Sequence, residues 1–502
     1  MIPKLEENAV STVCSLVPPF CKTKERLKNM ILHRSFLSYL LVSLSFLFTS
    51  TDELAAQQPN IILCMTDDQG WGDTGYNRHL HLKTPHLDQI SKEGVTFTRF
   101  YSAAAMCSPT RASCYTGRHP YRMGVTFAMK GMLEDSEIPI TTILKNAGYI
   151  TGHFGKWHMG TLSKQKGDQN RWGAFAERPE RYYCPPWERD VDVCFVTESK
   201  VPTWDPLVHP GNLKKEANDD RNGLPFGNDY FTGPDKKITD NMDGDDSRVI
   251  MDRALPFIQS AVEQEKPFLA VIWFHTPHSP VIGGPEYRQM YTQHPEDVQH
   301  YYACISAMDD QIGRLRAELE RLDVEDNTML WFCSDNGPAR QGSPRHVGSN
   351  GNLSGYKLSI KEGGIRVPGL LVWPSEIPEP FSINAPCVTS DYFPTILDAL
   401  GIPLPDDRTY DGISLLPLLK GECKTRESPI GFLNQEGKEA VWMEDRYKLF
   451  ISSTSTQLFD ISNDSAEEED LSRTLPEVTE RMKAELIEWK EAVMQELRAV
   501  IQ

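Results

Sequence analysis

The chain has 502 residues, 39% hydrophobic and 24% charged, a globular composition that excludes a fully disordered protein. Its 70 acidic residues outnumber its 52 basic ones, which leaves a formal net charge of −18. An acidic surface argues against a nucleic-acid partner, because phosphate backbones are bound by clustered lysines and arginines. It still allows a small anionic substrate in a local cationic pocket.

The N-terminal region has the pattern of a targeting segment. An apolar run over 36–50, short for a membrane span, follows five basic residues, Lys22, Lys24, Arg26, Lys28 and Arg34. We expect a signal over residues 1–56, with 1–29 outside the real start because Met30 gives a signal of ordinary length. Cleavage would leave no stable membrane span and an exported protein, periplasmic or secreted. The alternative is an uncleaved single-pass anchor.

Three apolar runs that end in polar residues predict the strands of a parallel sheet. They cover 59–68, 267–278 and 327–337, and helical patterns over 247–265 and 298–322 precede the last two. Alternating strands and helices indicate an α/β fold with a large mixed, mostly parallel sheet flanked by helices. Ligands bind beyond the carboxyl ends of such strands, so one edge should collect Asp67, Asp68, His275, His278, Asp335 and Asn336.

Two further regions complete the predicted organisation. Residues 160–245 are rich in Pro, Gly, Trp and charge, which predicts a long, partly ordered insertion over the strand ends in a catalytic domain spanning 57–425. The rest, 426–502, has short strand-like runs and a helical pattern near 475–499, which predicts a small α+β domain. Cys184 and Cys194 flank a loop in the insertion and either pair as a disulfide or remain free.

The acidic pair Asp67 and Asp68 is a candidate metal site. With Asp335 and Asn336 from another strand end it can offer four oxygen ligands, and hard divalent cations prefer oxygen. No thiol pair accompanies them, which favours Ca²⁺ or Mg²⁺ over zinc. The alternative is that Asp67 and Asp68 only cap a turn.

Cations and imidazoles lie on three other segments. Lys156 and His158 are two residues apart in GKWHMG, so an extended backbone places both on one face, as an anionic substrate that needs proton transfer would require. His275 and His278 belong to HTPHSP, and Lys357 precedes Glu362-Gly363-Gly364. The alternatives are that GKWHMG is an exposed loop, that one of the two histidines of HTPHSP is only structural, and that Lys357 is a solvated surface lysine.

Cys107 opens the stretch CSPTRASCYTGR at 107–118. A helix that begins near Pro109 would put Cys107 just before its N-terminus, where the helix dipole favours an anion. A soft thiolate, however, ligates Ca²⁺ poorly, so cysteine beside an all-oxygen metal site is chemically odd.

The stretch Cys107-Ser108-Pro109-Thr110-Arg111, followed by Thr116-Gly117-Arg118, resembles the signature of type I sulfatases, which have the alkaline-phosphatase-like fold. PNIILCMTDDQGWGD, GKWHMG, HTPHSP, SDNG and the segment of Lys357 are similar to the family's other motifs and occur in the same order. The resemblance covers nearly all of the chain after the targeting segment. It implies that a dedicated maturation enzyme oxidises Cys107 to formylglycine.

The resemblance also implies the site roles. Asp67, Asp68, Asp335 and Asn336 would ligate Ca²⁺, with residue 107 completing the shell. The hydrated aldehyde, a gem-diol, would attack the sulfur of the substrate. Arg111 would steady the nucleophile, Lys156 and Lys357 would neutralise sulfate oxygens, His158 would be the base, and His278, rather than His275, would protonate the leaving oxygen.

The sequence therefore predicts a sulfuric ester hydrolase. A phosphate or phosphonate monoester hydrolase of the same fold is the alternative, and a non-catalytic binding protein is disfavoured because every reacting group is present. An exported enzyme with a long loop at the strand ends suggests a small sulfated carbohydrate, whose rings could stack on Trp172, Trp187 or Trp204, although each of them could equally be packed in the interior.

Overall fold

A computed structural model describes residues 58–211, 221–340 and 347–501. The predicted targeting segment lies outside these residues. From Pro59 onward the chain forms one compact unit. Within the described residues, no helix is both long and apolar enough to cross a bilayer.

The strands of the described residues are β1 (Asn60–Thr66), β2 (Val95–Phe97), β3 (Phe100–Tyr101), β4 (Ile150–Lys156), β5 (Val193–Thr197), β6 (Tyr230–Phe231), β7 (Lys237–Ile238), β8 (Phe268–Trp273), β9 (Thr328–Ser334), β10 (Arg366–Val367), β11 (Gly369–Val372), β12 (Phe381–Ile383), β13 (Cys387–Val388), β14 (Ile430–Leu433), β15 (Ala440–Met443), β16 (Tyr447–Ile451) and β17 (Thr456–Asp460).

The α-helices are α1 (Pro85–Glu93), α2 (Cys107–Thr116), α3 (Ile140–Asn146), α4 (Gly173–Glu177), α5 (Asp246–Glu263), α6 (Pro285–Arg288), α7 (Glu296–Arg321), α8 (Glu362–Ile365), α9 (Tyr392–Ala399), α10 (Leu416–Leu419) and α11 (Pro476–Ile501). Short 3-10 helices cover Pro120–Met123, Pro186–Glu188, Gln289–Tyr291 and Thr389–Asp391.

The main sheet is ten-stranded and mixed, in the order β12-β2-β11-β9-β1-β8-β4-β5-β6-β7. Its centre, β9-β1-β8-β4-β5, is parallel throughout, and antiparallel pairs occur toward both edges. The predicted α/β class is therefore confirmed, and the three predicted strands are the neighbours at the sheet's centre.

Side chains of β1 alternate between two cores because successive residues of a strand point to opposite faces. Ile61 and Leu63 pack on the face covered by α2, α3 and α9, whereas Ile62 and Cys64 pack against α5 and α7. Both faces of the central sheet are thus buried, which explains why these strands read as continuous apolar runs.

The segment 160–245, predicted to be a long, partly ordered insertion over the strand ends, contains strands of its own. It contributes β5, β6 and β7, which extend the main sheet at one edge. These strands are short, so they carry little periodicity in the sequence. Cys184 and Cys194 are both free: Cys184 bonds the carbonyl of Leu133, and Cys194 lies in β5.

The C-terminal region forms a separate four-stranded antiparallel sheet, β14-β15-β16-β17. Helix α11 packs on it through Met482, Leu486, Val493 and Leu497, which share a core with residues of β14 to β17. The strand and helix predictions made for this part of the sequence are therefore confirmed.

Candidate active site

The predicted metal ligands meet where β1 and β9 end side by side. Thr66 pairs with Ser334 in parallel register, so Asp67 and Asp68 leave the sheet beside Asp335 and Asn336. The Asp68 amide donates to Asp335 Oδ1 at 3.1 Å, and Asn336 Nδ2 donates to Asp68 Oδ1 at 2.7 Å. The structure therefore brings these four side chains together, at most 2% exposed.

Two oxygens of this group lack partners. Asp67 Oδ1 and Asn336 Oδ1 are buried and accept no hydrogen bond in the described part of the chain. A buried polar atom without a partner costs about 1–3 kcal/mol, so such oxygens usually face a ligand. Ligand atoms of Asp67, Cys107 and Asp335 also lie within 4.8 Å of one another. This oxygen-rich donor set fits a hard divalent cation.

Three cations surround the carboxylates. Arg111 Nη2 lies 2.6 Å from Asp335 Oδ2, Lys156 Nζ lies 2.6 Å from Asp67 Oδ2, and Lys357 Nζ lies 2.5 Å from Asp68 Oδ1. Arg111 also stacks on Trp273, with its guanidinium carbon 4.9 Å from the ring centroid. Lys156 ends β4 in the parallel centre of the sheet, whereas Lys357 comes from the loop before α8.

The carboxylates respond differently to these charges. Burial would raise the pKa of Asp67, but Lys156, together with His278, Arg111 and Lys357, holds it well below its usual range. Burial and the neighbouring Asp67 raise the pKa of Asp335 to about 7, even though Arg111 opposes them. A cation bound beside Asp335 would oppose the effect of burial and of Asp67 and would stabilise the ionised carboxylate.

Cys107 is the first residue of α2. The helix therefore starts two residues before Pro109, near which the sequence analysis predicted its start. Its side chain is buried among the charged groups, and Ser108 Oγ donates to the carbonyl of His158 at 2.5 Å, which ties the helix to the end of β4. Burial raises the pKa of the Cys107 thiol despite Lys156 and Lys357. An unmodified Cys107 is therefore a neutral thiol and a poor nucleophile.

The histidines divide into two groups. His158 is buried with both ring nitrogens unpartnered among the described residues, and burial with the charges of Lys156 and Arg111 lowers its pKa well below 6.5. His278 faces the same site, with Nε2 3.7 Å from Asp68 Oδ2. His275 lies behind it, fully buried and bonded to Asp246 at 2.8 Å and Thr197 at 2.7 Å. A supporting position suits His275.

Cys107, Lys156, His158, His278 and Lys357 line one cavity of about 230 Å³. Its outer wall consists of residues that the sequence did not single out as a group: Phe127, Met129, Asn170, Trp172, Ser199 and Lys200. Ser199 and Lys200 could have been found from the sequence. They belong to the polar stretch TESK, which follows the short apolar run of β5, just as polar residues follow the other strands of the sheet centre.

Comparison with known proteins agrees with this arrangement. The sulfatase family model matches residues 59–402. Arylsulfatase G of Rattus norvegicus is 29% identical over 89% of this chain and 90% of its own length. N-acetylgalactosamine-6-sulfatase of Mus musculus is 31% identical over 74% of this chain and 68% of its own. The crystal structure of Ps i-CgsB in complex with k-i-k-neocarrahexaose superposes with a TM-score of 0.73 at 26% identity, covering 86% and 93% of the two chains.

Proposed function

Because the chain belongs to the sulfatase family and is a sulfuric ester hydrolase, we propose that it releases inorganic sulfate from a sulfated carbohydrate through formylglycine derived from Cys107 and a bound Ca²⁺. The observation that carries the proposal is a neutral, buried cysteine at the start of a helix inside a cluster of oxygen ligands. A thiol is poorly suited to that position, and an oxygen nucleophile is well suited to it.

Asp67, Asp68, Asp335 and Asn336 would hold the cation, together with an oxygen of the modified residue 107. When present, the hydrated aldehyde supplies an oxygen nucleophile for sulfur and the cation polarises the sulfate oxygens. Arg111, fixed by Asp335 and by Trp273, would place its positive charge next to the nucleophile.

Lys156 and Lys357 would neutralise the remaining sulfate oxygens, since both line the cavity beside Cys107. His158 suits the role of base because its low pKa leaves it neutral, with both nitrogens free of partners in the described residues. It would accept the proton that the nucleophile loses.

His278 would protonate the leaving oxygen. In the ligand-free site, burial lowers its pKa to about 3, against the charges of Asp67 and Asp68, and its Nδ1 donates to the carbonyl of Ser279 at 2.7 Å. Lys357 and Lys156 contribute to that low pKa. A sulfate group bound between these lysines would offset their charge, so substrate binding itself should raise the pKa of His278 toward the value an acid needs.

A carbohydrate substrate is supported by the outer wall. Trp172 is 48% exposed and lines the cavity, whereas Trp187 packs against the main core and Trp204 packs on Gly284. An exposed indole face is a suitable platform for a sugar ring. Two similar proteins also support carbohydrate, since one is an N-acetylgalactosamine-6-sulfatase and the other, Ps i-CgsB, is in complex with k-i-k-neocarrahexaose.

Two cellular steps belong to the proposal. A formylglycine-generating maturation enzyme would have to modify Cys107 before α2 is buried, because that side chain is 2% exposed in the folded chain. The basic and apolar pattern of residues 1–56 supports export, periplasmic or secreted.

Steady-state kinetics with matched 4-nitrophenyl sulfate and 4-nitrophenyl phosphate test the function directly. We expect kcat/KM for the sulfate ester to exceed that for the phosphate ester by at least about a hundredfold, because the chain belongs to the sulfatase family and its site should stabilise the transition state of sulfate transfer. Cys107→Ala should abolish both activities. A preference for the phosphate or phosphonate ester would assign the alternative function.

A further inference from the structure

Lys200 is a cation of the cavity that the proposed mechanism does not use. It follows β5 and lines the same cavity as Cys107 and Lys357. Within the residues the structure describes, its ammonium group forms no ion pair or hydrogen bond, in contrast to Lys156 and Lys357, which each contact a carboxylate. A partly buried, unpaired ammonium in a substrate cavity calls for an anionic partner.

The backbone that carries Lys200 is rigidly held by Asn228, a side chain only 1% exposed. Its Nδ2 donates to Ser199 Oγ at 3.1 Å and to the carbonyl of Lys200, while its Oδ1 accepts from the Asn170 amide at 2.8 Å. One amide group thus links the strand end of Lys200 to the loop that carries Trp172.

A second link joins the same two segments. Arg171 donates through Nε and Nη2 to the two carboxylate oxygens of Glu198, both at 2.6 Å, and the two side chains are 3% and 0% exposed. Bidentate arginine pairs of this kind fix orientation as well as distance. Lys200 and Trp172 therefore belong to one preorganised frame.

The charges around Lys200 bear on which anionic group of a substrate it can bind. Its partial burial, followed by the charges of Lys156 and Lys357, lowers its pKa, with Asp67 and Asp68 opposing. Those two carboxylates already contact the other lysines. A single sulfate bound beside Cys107 therefore leaves Lys200 available for a second anion.

We propose that Lys200 binds a second anionic group, a carboxylate or a second sulfate, on a substrate whose sugar ring lies against Trp172. This inference rests on the proposed function, and it narrows the substrate to sulfated sugars that carry a further negative charge. Lys200 is a specificity-determining residue in this reading, and the frame of Asn228, Glu198 and Arg171 positions it.

The test uses the matured, Ca²⁺-loaded enzyme and matched disaccharides that share one N-acetylhexosamine 6-sulfate. The neighbouring sugar is neutral glucose, glucuronic acid or a second sulfated sugar. We expect kcat/KM for one of the doubly anionic substrates to be at least about tenfold higher than for the substrate with neutral glucose. A hydrogen bond to a charged group typically strengthens binding by about that factor. The carboxylate and sulfate arms show which anion Lys200 takes.

Lys200→Met should reduce this preference to less than about threefold, mainly by raising KM, and Lys200→Arg should retain it. Lys236→Met, at an exposed lysine of the same region, is the matched control and should keep the full preference. Absence of a preference in the wild type, or a preference that survives in Lys200→Met, would overturn the inference.

Binding separates this inference from the proposed function. If no sulfate ester is hydrolysed, the proposed function fails, but calorimetry with Cys107→Ala can still compare the same disaccharides. Adding Lys200→Met to that variant should weaken binding of a doubly anionic sugar at least about fivefold more than binding of the neutral-neighbour sugar. Equal weakening would contradict the role of Lys200.

Discussion

The two ends of the cavity are built in opposite ways. At the inner end, carboxylates and cations pair within 2.5–2.6 Å and are nearly all buried. All but Lys357, which comes from the loop before α8, lie at the ends of β1, β4 and β9 or in α2. At the outer end, Trp172 and Lys200 are partly exposed and belong to the edge segment 160–245. The centre of the sheet thus holds the groups proposed to react, whereas the edge segment carries the side chains proposed to determine substrate specificity.

The largest loss of activity is expected for Asp335→Asn, at the inner end of the cavity. This change weakens a proposed metal ligand and leaves buried Arg111 without its ion pair. We expect kcat to fall by at least about a thousandfold. We also expect Ca²⁺ to raise the melting temperature of the wild type but not of this variant, because a cation bound only to the folded state stabilises it.

Asp310→Asn is the control for that variant. Asp310 belongs to a surface cluster with His86 and Asp309 that also has the composition of a metal site, but its side chain is 46% exposed. Activity and the Ca²⁺-dependent melting shift should both persist. If Asp310→Asn lost the Ca²⁺-dependent melting shift and Asp335→Asn kept it, the cation would bind at the cluster of His86, Asp309 and Asp310 and the proposed site would be wrong.

The support of the inner end can be tested at Lys448. Its Nζ lies 2.9 Å from Glu362 and 3.0 Å from Glu467, all three groups are buried, and Glu467 also bonds the amide of Glu362 at 2.9 Å. This cluster ties the C-terminal sheet to the segment that carries Lys357. Lys448→Met leaves buried Glu467 without its ion pair and Glu362 with only the longer contact to Arg366 at 3.5 Å, so urea unfolding should show a loss of about 3–5 kcal/mol.

The surface lysine Lys438 supplies the comparison, since it also pairs with a glutamate but is 74% exposed. Lys438→Met should change stability by less than about 0.5 kcal/mol. Similar losses in the two variants would show that the buried cluster does not support the site. The boundaries 57–425 and 426–502 stay a proposal, and this cluster would be a contact between the two proposed domains.

The smallest effect is expected at the outer end. Trp172→Ala removes a platform and should lower kcat/KM for a sulfated disaccharide by about tenfold, through KM more than kcat. Its melting temperature should hardly change because the indole is 48% exposed. Trp172→Phe should recover most of the activity, and a loss confined to kcat would instead place Trp172 near the reacting atoms.

The contrast between the ends also explains what the sequence could predict. Asp67 and Asp335 directly follow β1 and β9, and parallel strands place their carboxyl ends at one edge whatever the rest of the chain does. The local runs of apolar residues were enough to find those two strands. The meeting of their acidic side chains therefore followed from the sequence, whereas the strand that ends in Lys156 was not among the predicted runs.

The outer end depends on long-range contacts that leave no periodic signal. Asn228 links Asn170 to Lys200, and Arg171 pairs with Glu198, across separations that only the fold decides. Cys184 and Cys194 illustrate the same limit, because the sequence left a disulfide and two free thiols both open, and both cysteines are free in the structure. The sequence likewise could not show that His275 is bonded to Asp246, a contact that leaves His278 as the histidine of this segment that faces the site.

The central claim is that residue 107 acts as an oxygen nucleophile made from cysteine. Peptide mass spectrometry across residues 100–118 of active enzyme measures this directly. The account predicts a residue about 18 Da lighter than cysteine at position 107, in a fraction that rises in proportion to specific activity. Fully active protein in which Cys107 is entirely unmodified would contradict it.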